Sequence, residues 1–160
     1  MLRERSERRL RTGEAIIGAE FEIIGKNGKV SEPLQVIPTA INAHSIITDK
    51  TNRYVYVPHL GTDQIFQFRF DAKTGKLTAN TPPIVQMKTG TGPRHIIISG
   101  DNKFTYLLNE LTGTGTTLSL DQKTGLLSYV NEASVLPPDS KLRPGAPRVA
   151  IVKGETPRDV

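Results

Sequence analysis

From Asn42 onward the chain alternates apolar and polar positions in short runs, with turn residues between them. Tyr54-Val55-Tyr56-Val57 and Ile65-Phe66-Gln67-Phe68-Arg69-Phe70 are β-branched or aromatic at most positions and too short for helices, so they read as strands. The pattern predicts strands from His44 to Ile47, Tyr54 to Pro58 and Gln64 to Phe70, with a fourth near Ile84 to Met87. Asp49 to Asn52 and Lys73-Thr74-Gly75 supply the turns. Pro82 and Pro83 cannot donate to a ladder, which places the fourth strand at a sheet edge.

The same order returns fifty residues later. Asn52 and Asn102, Tyr56 and Tyr106, Asp71 and Asp121, Gly75 and Gly125, and Leu77 and Leu127 are each offset by 50. The second copy predicts strands from His95 to Ser99, Phe104 to Asn109 and Thr116 to Leu120, and one near Glu132 to Leu136. Gly113-Thr-Gly-Thr-Thr carries more glycine than a third strand normally tolerates, so this copy is expected to be the weaker one. A period of this length, built of short alternating runs, marks a β-propeller blade or a similar array.

The flanks differ from these two units. Ala15 to Ile24 alternates through Phe21 and Ile23, then Gly25-Lys26-Asn27-Gly28 offers a tight turn and Leu34 to Val36 a short returning strand. This reads as the outer half of a preceding blade. After Leu136, Pro137, Pro138, Pro144, Pro147 and Pro157 with Gly145 and Gly154 read as a long loop. The chain is therefore expected to be all-β, an incomplete β-propeller of two full four-stranded antiparallel blades plus half a blade. Its expected divisions are a basic extension over 1–14, a propeller portion over 15–136 (half blade 15–40, blades 41–91 and 92–136) and a Pro-rich loop or tail over 137–160. Open blade faces would expose apolar strands, which gives self-association a physical motive.

Composition narrows the function classes. The chain has 160 residues, 36% of them hydrophobic, enough for one core. No cysteine is present, so there is neither a disulfide framework nor a thiolate metal site. No apolar run approaches the roughly 20 residues that span a bilayer, and no signal-peptide pattern follows the N-terminus. A cytoplasmic chain without membrane partners is the expectation. The net charge of +5 is concentrated at the start, where five arginines (Arg3, Arg5, Arg8, Arg9, Arg11) stand against Glu4 and Glu7. Without aromatic residues to stack on bases, this segment reads as a solvated tail or short helix rather than a nucleic-acid contact.

Several motifs can be set aside. Thr89-Gly-Thr-Gly and Thr112-Gly-Thr-Gly lack the Gly-Lys-Ser/Thr of a phosphate loop and read as turns. His44, His59 and His95 lack the spacing of a helical metal site, and no Gly-x-Ser-x-Gly elbow is present. Neither a metal nor a cofactor is expected.

At His44, Tyr54 to Gly61, Gly92-Pro93-Arg94-His95 and Asn109-Glu110-Leu111 the sequence resembles the lactonase family of seven-bladed β-propellers. Bacterial 6-phosphogluconolactonase belongs to that family, as does the fungal 3-carboxy-cis,cis-muconate lactonising enzyme. The resemblance runs from about Ala19 to Leu136. It implies an enzyme that acts on a small lactone or carboxylate, with His44, Arg94 and Glu110 as catalytic positions. His95, Asn109 and His59 are the substrate-contact candidates, although His59, after Pro58 at a strand end, reads by itself as an exposed loop residue. At about 50 residues per blade a full seven-bladed member needs on the order of 350, so less than half is present.

The implied chemistry is hydrolysis of a sugar-acid lactone of the 6-phosphogluconolactonase type. Glu110 or His44 can take a proton from water, and Arg94 can hold an oxyanion, a carboxylate or a phosphate. Arg94 can equally pair with Glu110 as a structural ion pair. The same trio also suits ring closure of a muconate, the carboxymuconate cyclase alternative. From a different class, the alternative is a non-catalytic propeller piece that serves as an interaction surface.

Overall fold

The computed structural model describes residues 35–139 in full and, before them, the backbone of Leu2–Glu4 and Ala19–Ile23. Every regular element among the described residues is a strand. β1 (Leu2–Glu4), β2 (Ala19–Ile23) and β3 (Gln35–Ile37) form a three-stranded sheet in that order. β4 (Ile47–Thr48), β5 (Tyr54–His59), β6 (Gln64–Asp71) and β7 (Lys76–Gln86) form the first complete blade. β8 (Pro93–Ile98), β9 (Phe104–Asn109), β10 (Thr114–Leu120) and β11 (Leu127–Ser134) form the second. All pairings in both blades are antiparallel, as the alternation predicts.

The fifty-residue period is visible in the backbone bonds. Asp49 N–H donates to Tyr54 O and Ser99 N–H to Phe104 O; Asn52 N–H donates to Asp49 O and Asn102 N–H to Ser99 O. Both asparagines sit at positive φ, 55° and 58°, a region that asparagine tolerates better than most residues. The Lys-Thr-Gly turns close by Gly75 N–H to Asp71 O and Gly125 N–H to Asp121 O, each glycine at φ 73°. The same turn chemistry thus recurs at the same place in both blades.

Four expectations change. Leu2–Glu4, within the stretch read as a tail or helix, is a strand paired with Phe21 to Ile23. An open edge of β2 offers unpaired backbone groups that a short neighbouring segment can satisfy. The outer strands start at their turns, at Lys76 and Leu127, rather than near Ile84 and Glu132. In β7 the prolines are absorbed by a bulge, in which Gln67 alone stands opposite Asn80 to Pro83. The inner strand of the first blade is shorter than predicted, reduced to Ile47–Thr48 and a bridge between Ala43 and His59. The glycine-rich β10 is paired along its whole length with β11 and over Thr114 to Ser119 with β9. Gly113, at φ 63°, makes room there for Leu136, whose Cδ1 would lie 2.8 Å from an added Cβ. The Gly25-Lys26-Asn27-Gly28 turn, the rest of the 1–14 segment and the Pro-rich stretch beyond Asp139 lie outside the described residues.

The core lies between blades rather than within one. Tyr54, Tyr56 and Ile65 of the first blade pack with Ile96, Ile98, Leu107, Leu118 and Leu127 of the second. Val55, Val57, Phe68 and Leu77 face the other way, with Ile37 of the three-stranded sheet against them. Polar side chains complete the seam. Tyr56 Oη donates to Gly125 O at 2.8 Å, and Leu127 N–H donates to Gln67 Oε1 at 2.8 Å. Burial with complete hydrogen bonding is what allows these groups into an apolar interface. The opposite face of the second blade is open, with Ile97 60% and Tyr106 46% exposed. No helix among the described residues is long and apolar enough to cross a membrane.

Candidate active site

His44 and Arg94 occupy the same place in consecutive repeats, fifty residues apart. In the second blade Pro93 pairs with Asn109 and His95 with Leu108, so Arg94 is the extra residue of a β-bulge. In the first blade Ala43 pairs with His59 and Ile47 with Tyr56, which leaves one extra residue in the corresponding stretch. A bulge re-aims the side chain that it carries. The residue two before each of these side chains, Asn42 or Gly92, has positive φ, 57° and 64°. Leu60 N–H donates to Asn42 O and Glu110 N–H to Gly92 O, so Glu110 is held directly opposite the bulge of its own blade.

The three residues expected to be catalytic meet, and His95 joins them. Arg94 Nε–H lies 2.8 Å from Glu110 Oε2 and 3.0 Å from His44 Nε2, so one donor is shared by the acid and the imidazole. The His95 ring meets the His44 ring edge-on at 4.9 Å between centroids. Ser45 Oγ donates to Arg94 O at 2.8 Å, which ties the bulged strand to the first blade. Arg94 and Glu110 keep 31% and 19% of their side-chain surface exposed, so the group is open to a small solute. Among the described residues no hydrogen-bond partner engages the terminal Nη groups of Arg94.

Electrostatics set the protonation states. Burial lowers the pKa of His44, and the Arg94 guanidinium and His95 lower it further against the opposing pull of Glu110. Burial and then Arg94 do the same to His95. Both rings are therefore neutral at pH 7. Because His44 Nε2 accepts from Arg94, its proton resides on Nδ1, which is buried without a partner. The structural ion pair between Arg94 and Glu110 is present, and it leaves the guanidinium fork available for an anion.

His59 and Asn109 are also repeat equivalents, and both are 0% exposed. The expectation that His59 is an exposed loop residue is corrected, because it is the last residue of β5 and its ring packs on Phe66 at 4.4 Å. Its Nδ1–H donates to Val57 O and its Nε2 accepts from Thr39 Oγ1, both at 2.8 Å. Burial pushes its pKa down to about 4. Asn109 Nδ2 donates to Thr116 at 2.8 Å and Thr114 at 3.0 Å, with Glu132 at 3.3 Å. These two side chains fasten the strand ends beneath the Arg94 group. The sequence reading missed Ser45 and Thr39, whose hydroxyl roles leave no pattern along the chain.

The Thr89-Gly-Thr-Gly turn has its own internal anion. Asp63 accepts from Gly90 N–H at 2.7 Å and Gly92 N–H at 2.8 Å, with Thr91 Oγ1 at 3.3 Å. The carboxylate thus occupies the backbone donors that a phosphate loop would present. It also fixes the crossover that delivers Pro93 and Arg94.

Comparison with known proteins places this geometry in context. The family described as lactonase, 7-bladed beta-propeller, matches residues 22–155. The 6-phosphogluconolactonase of Serratia proteamaculans is 34% identical over 121 residues, covering 76% of this chain and 36% of that protein. That of Erwinia tasmaniensis is 40% identical over 88 residues, covering 55% and 26%. A crystal structure from Bacteroides fragilis superposes with a TM-score of 0.65 at 28% identity, covering 73% of this chain and 37% of the other. The periplasmic gluconolactonase of Pseudomonas aeruginosa, at 24% identity and a TM-score of 0.68, shares the fold over 78% of this chain and 37% of its own. The chain spans about a third of the length of these relatives. With the family match over most of its residues, two blades in register and the Gly-Pro-Arg-His and Asn-Glu-Leu motifs in place, the chain belongs to the lactonase family of seven-bladed β-propellers.

Proposed function

We propose that the His44, Arg94 and Glu110 group hydrolyses a sugar-acid lactone of the 6-phosphogluconolactonase type. The observation that carries the proposal is the shared Arg94 Nε–H, which holds an acid and a neutral imidazole on one side and frees the guanidinium fork on the other. The names of the Serratia and Erwinia relatives supply the substrate class and favour hydrolysis over muconate ring closure.

In the proposed reaction the lactone carbonyl oxygen lies against the free fork of Arg94. Glu110 takes a proton from a water molecule as that water's oxygen bonds to the carbonyl carbon. The tetrahedral oxyanion is stabilised by the guanidinium, an interaction that strengthens as charge develops. Collapse breaks the ring C–O bond, and Glu110 returns the proton to the leaving alkoxide. The products are a hydroxyl and a carboxylic acid, which ionises. His44 Nε2 is already engaged by Arg94, so its role is to fix the guanidinium plane rather than to act as the base. His95 extends the neutral wall beside it.

The test is turnover by the purified chain of 6-phosphoglucono-δ-lactone and, separately, of a carboxymuconate, each corrected for the spontaneous rate. Hydrolysis of the lactone alone supports the proposal. Turnover of neither substrate would reject it in favour of a non-catalytic propeller portion.

A further inference from the structure

Asp63 ends the turn between β5 and β6, outside the group assigned to the hydrolysis, and its backbone sits at φ 54°. Glycine suits that region best, and the repeat equivalent fifty residues on is Gly113, at φ 63°. The two backbones play the same part in their blades: Met87 N–H donates to Asp63 O, and Val135 N–H donates to Gly113 O. The turn therefore works with glycine. Aspartate at this φ carries a conformational cost that glycine avoids, so what its carboxylate contributes lies beyond the turn.

The carboxylate holds the crossover into the second blade. Oδ2 accepts from Gly90 N–H at 2.7 Å, and Oδ1 accepts from Gly92 N–H at 2.8 Å and from the Thr91 hydroxyl at 3.3 Å. The carbonyls of this same segment receive the strand end that carries the acid. Glu110 N–H donates to Gly92 O at 2.9 Å and Leu111 N–H to Thr91 O at 3.1 Å. Gly92 is thus gripped on both sides, by a first-blade carboxylate through its N–H and by Glu110 through its carbonyl. Two residues later the bulge presents Arg94 Nε–H to Glu110 Oε2 at 2.8 Å. Burial raises the Asp63 pKa, but the N–H groups of Gly92 and Gly90 outweigh it and the net shift is downward, so the carboxylate is charged at pH 7. Hydrogen bonds to a charged acceptor are roughly twice as strong as neutral ones. Gly113 has no side chain with which to anchor the segment after β11 in this way.

We propose that Asp63 is a positioning residue, which from the first blade sets the register between Arg94 and Glu110. Its consequence for turnover rests on the hydrolysis proposed above, whereas its hold on Arg94 does not.

Asp63→Gly removes the carboxylate and keeps the turn. Asp71→Ala is the control, because Asp71 also accepts from backbone N–H groups, those of Lys73 and Thr74, but at the opposite end of β6. Both variants are read in the full chain by hydrogen exchange at Arg94 Nε–H, assigned by its loss in Arg94→Lys, and by the kinetics of 6-phosphoglucono-δ-lactone hydrolysis. Positioning predicts that Asp63→Gly exchanges Nε–H about tenfold or more faster, with kcat down about tenfold or more and KM changed about threefold or less. Asp71→Ala leaves all three near wild type. Should Asp63→Gly fail to fold, Asp63→Asn decides in its place. Asparagine tolerates this φ and offers one acceptor oxygen where the carboxylate offers two, so the same changes are expected in smaller measure. Unchanged exchange at Arg94 in the Asp63 variants would overturn the proposal. Equal losses in Asp63→Gly and Asp71→Ala would overturn it too, by reducing Asp63 to a general stabiliser. If the wild type turns over no lactone, the proposed hydrolysis fails, and exchange at Arg94 alone decides the positioning.

Discussion

Asn102 Nδ2 donates to Asp49 Oδ2 at 3.0 Å, and Asn102 Oδ1 accepts from Lys50 N–H at 2.9 Å, so the turn of the second blade is latched to the turn of the first. Asp49 is 2% exposed and also accepts from Arg53 N–H and Tyr54 N–H. Removing the amide leaves a buried carboxylate one donor short, at a cost of about 1–3 kcal/mol. Asn52 has the same positive φ in an exposed turn, so Asn52→Ala measures the backbone cost alone. Urea unfolding should show Asn102→Ala less stable than Asn52→Ala by about that amount. Equal midpoints would mean that the latch contributes nothing.

His59 makes stability depend on pH in a defined window. Its pKa is 6.5 in an unfolded chain and about 4 when buried, so the unfolded state binds more protons between those values. The stabilisation is complete above pH 6.5 and is lost as pH falls toward 4, by an amount on the order of 3 kcal/mol. His59→Asn, which installs the residue found at the equivalent place in the second blade, should flatten that part of the profile. The same slope in wild type and variant would contradict the assignment.

Gly125 is required by a neighbouring ring as well as by its backbone. At φ 73° an alanine Cβ would fall inside the Tyr54 ring, whose hydroxyl is anchored on Lys123 O. Gly90 has φ 80° and no atom within 4 Å of such a Cβ. Gly90→Ala should therefore cost about 1 kcal/mol, the conformational part alone. Gly125→Ala should cost about 3 kcal/mol or more, because overpacking adds to it. Thermal unfolding of the two variants separates these contributions.

Arg94→Lys keeps a positive charge but has no Nε–H to share between Glu110 and His44 and no planar fork. Lactone turnover should fall about a hundredfold or more, with a much smaller change in the unfolding midpoint, because the retained charge still faces Glu110. Activity close to wild type would show that charge alone suffices.

The strands of both blades and their hairpins were legible because alternation and turn residues recur at a fixed spacing, as with Tyr54 and Phe104 or Gly75 and Gly125. The meeting of His44 with Arg94 was less so. It depends on a one-residue bulge, which alternation along a strand does not signal. His59 and Asn109 show the same limit, since an imidazole and an amide in equivalent places leave no common pattern, and only packing reveals that both are buried. Leu2–Glu4 becomes a strand through pairing with a distant edge, which no local propensity encodes.

The most direct measurement is the rate of 6-phosphoglucono-δ-lactone hydrolysis by the purified wild-type chain and by Glu110→Gln, which keeps the shape of the side chain and removes its basicity. The proposed site predicts hydrolysis above the spontaneous rate in wild type and a loss of about a hundredfold or more in the variant. Equal rates in the two proteins would contradict a site built from the Arg94 bulge and Glu110.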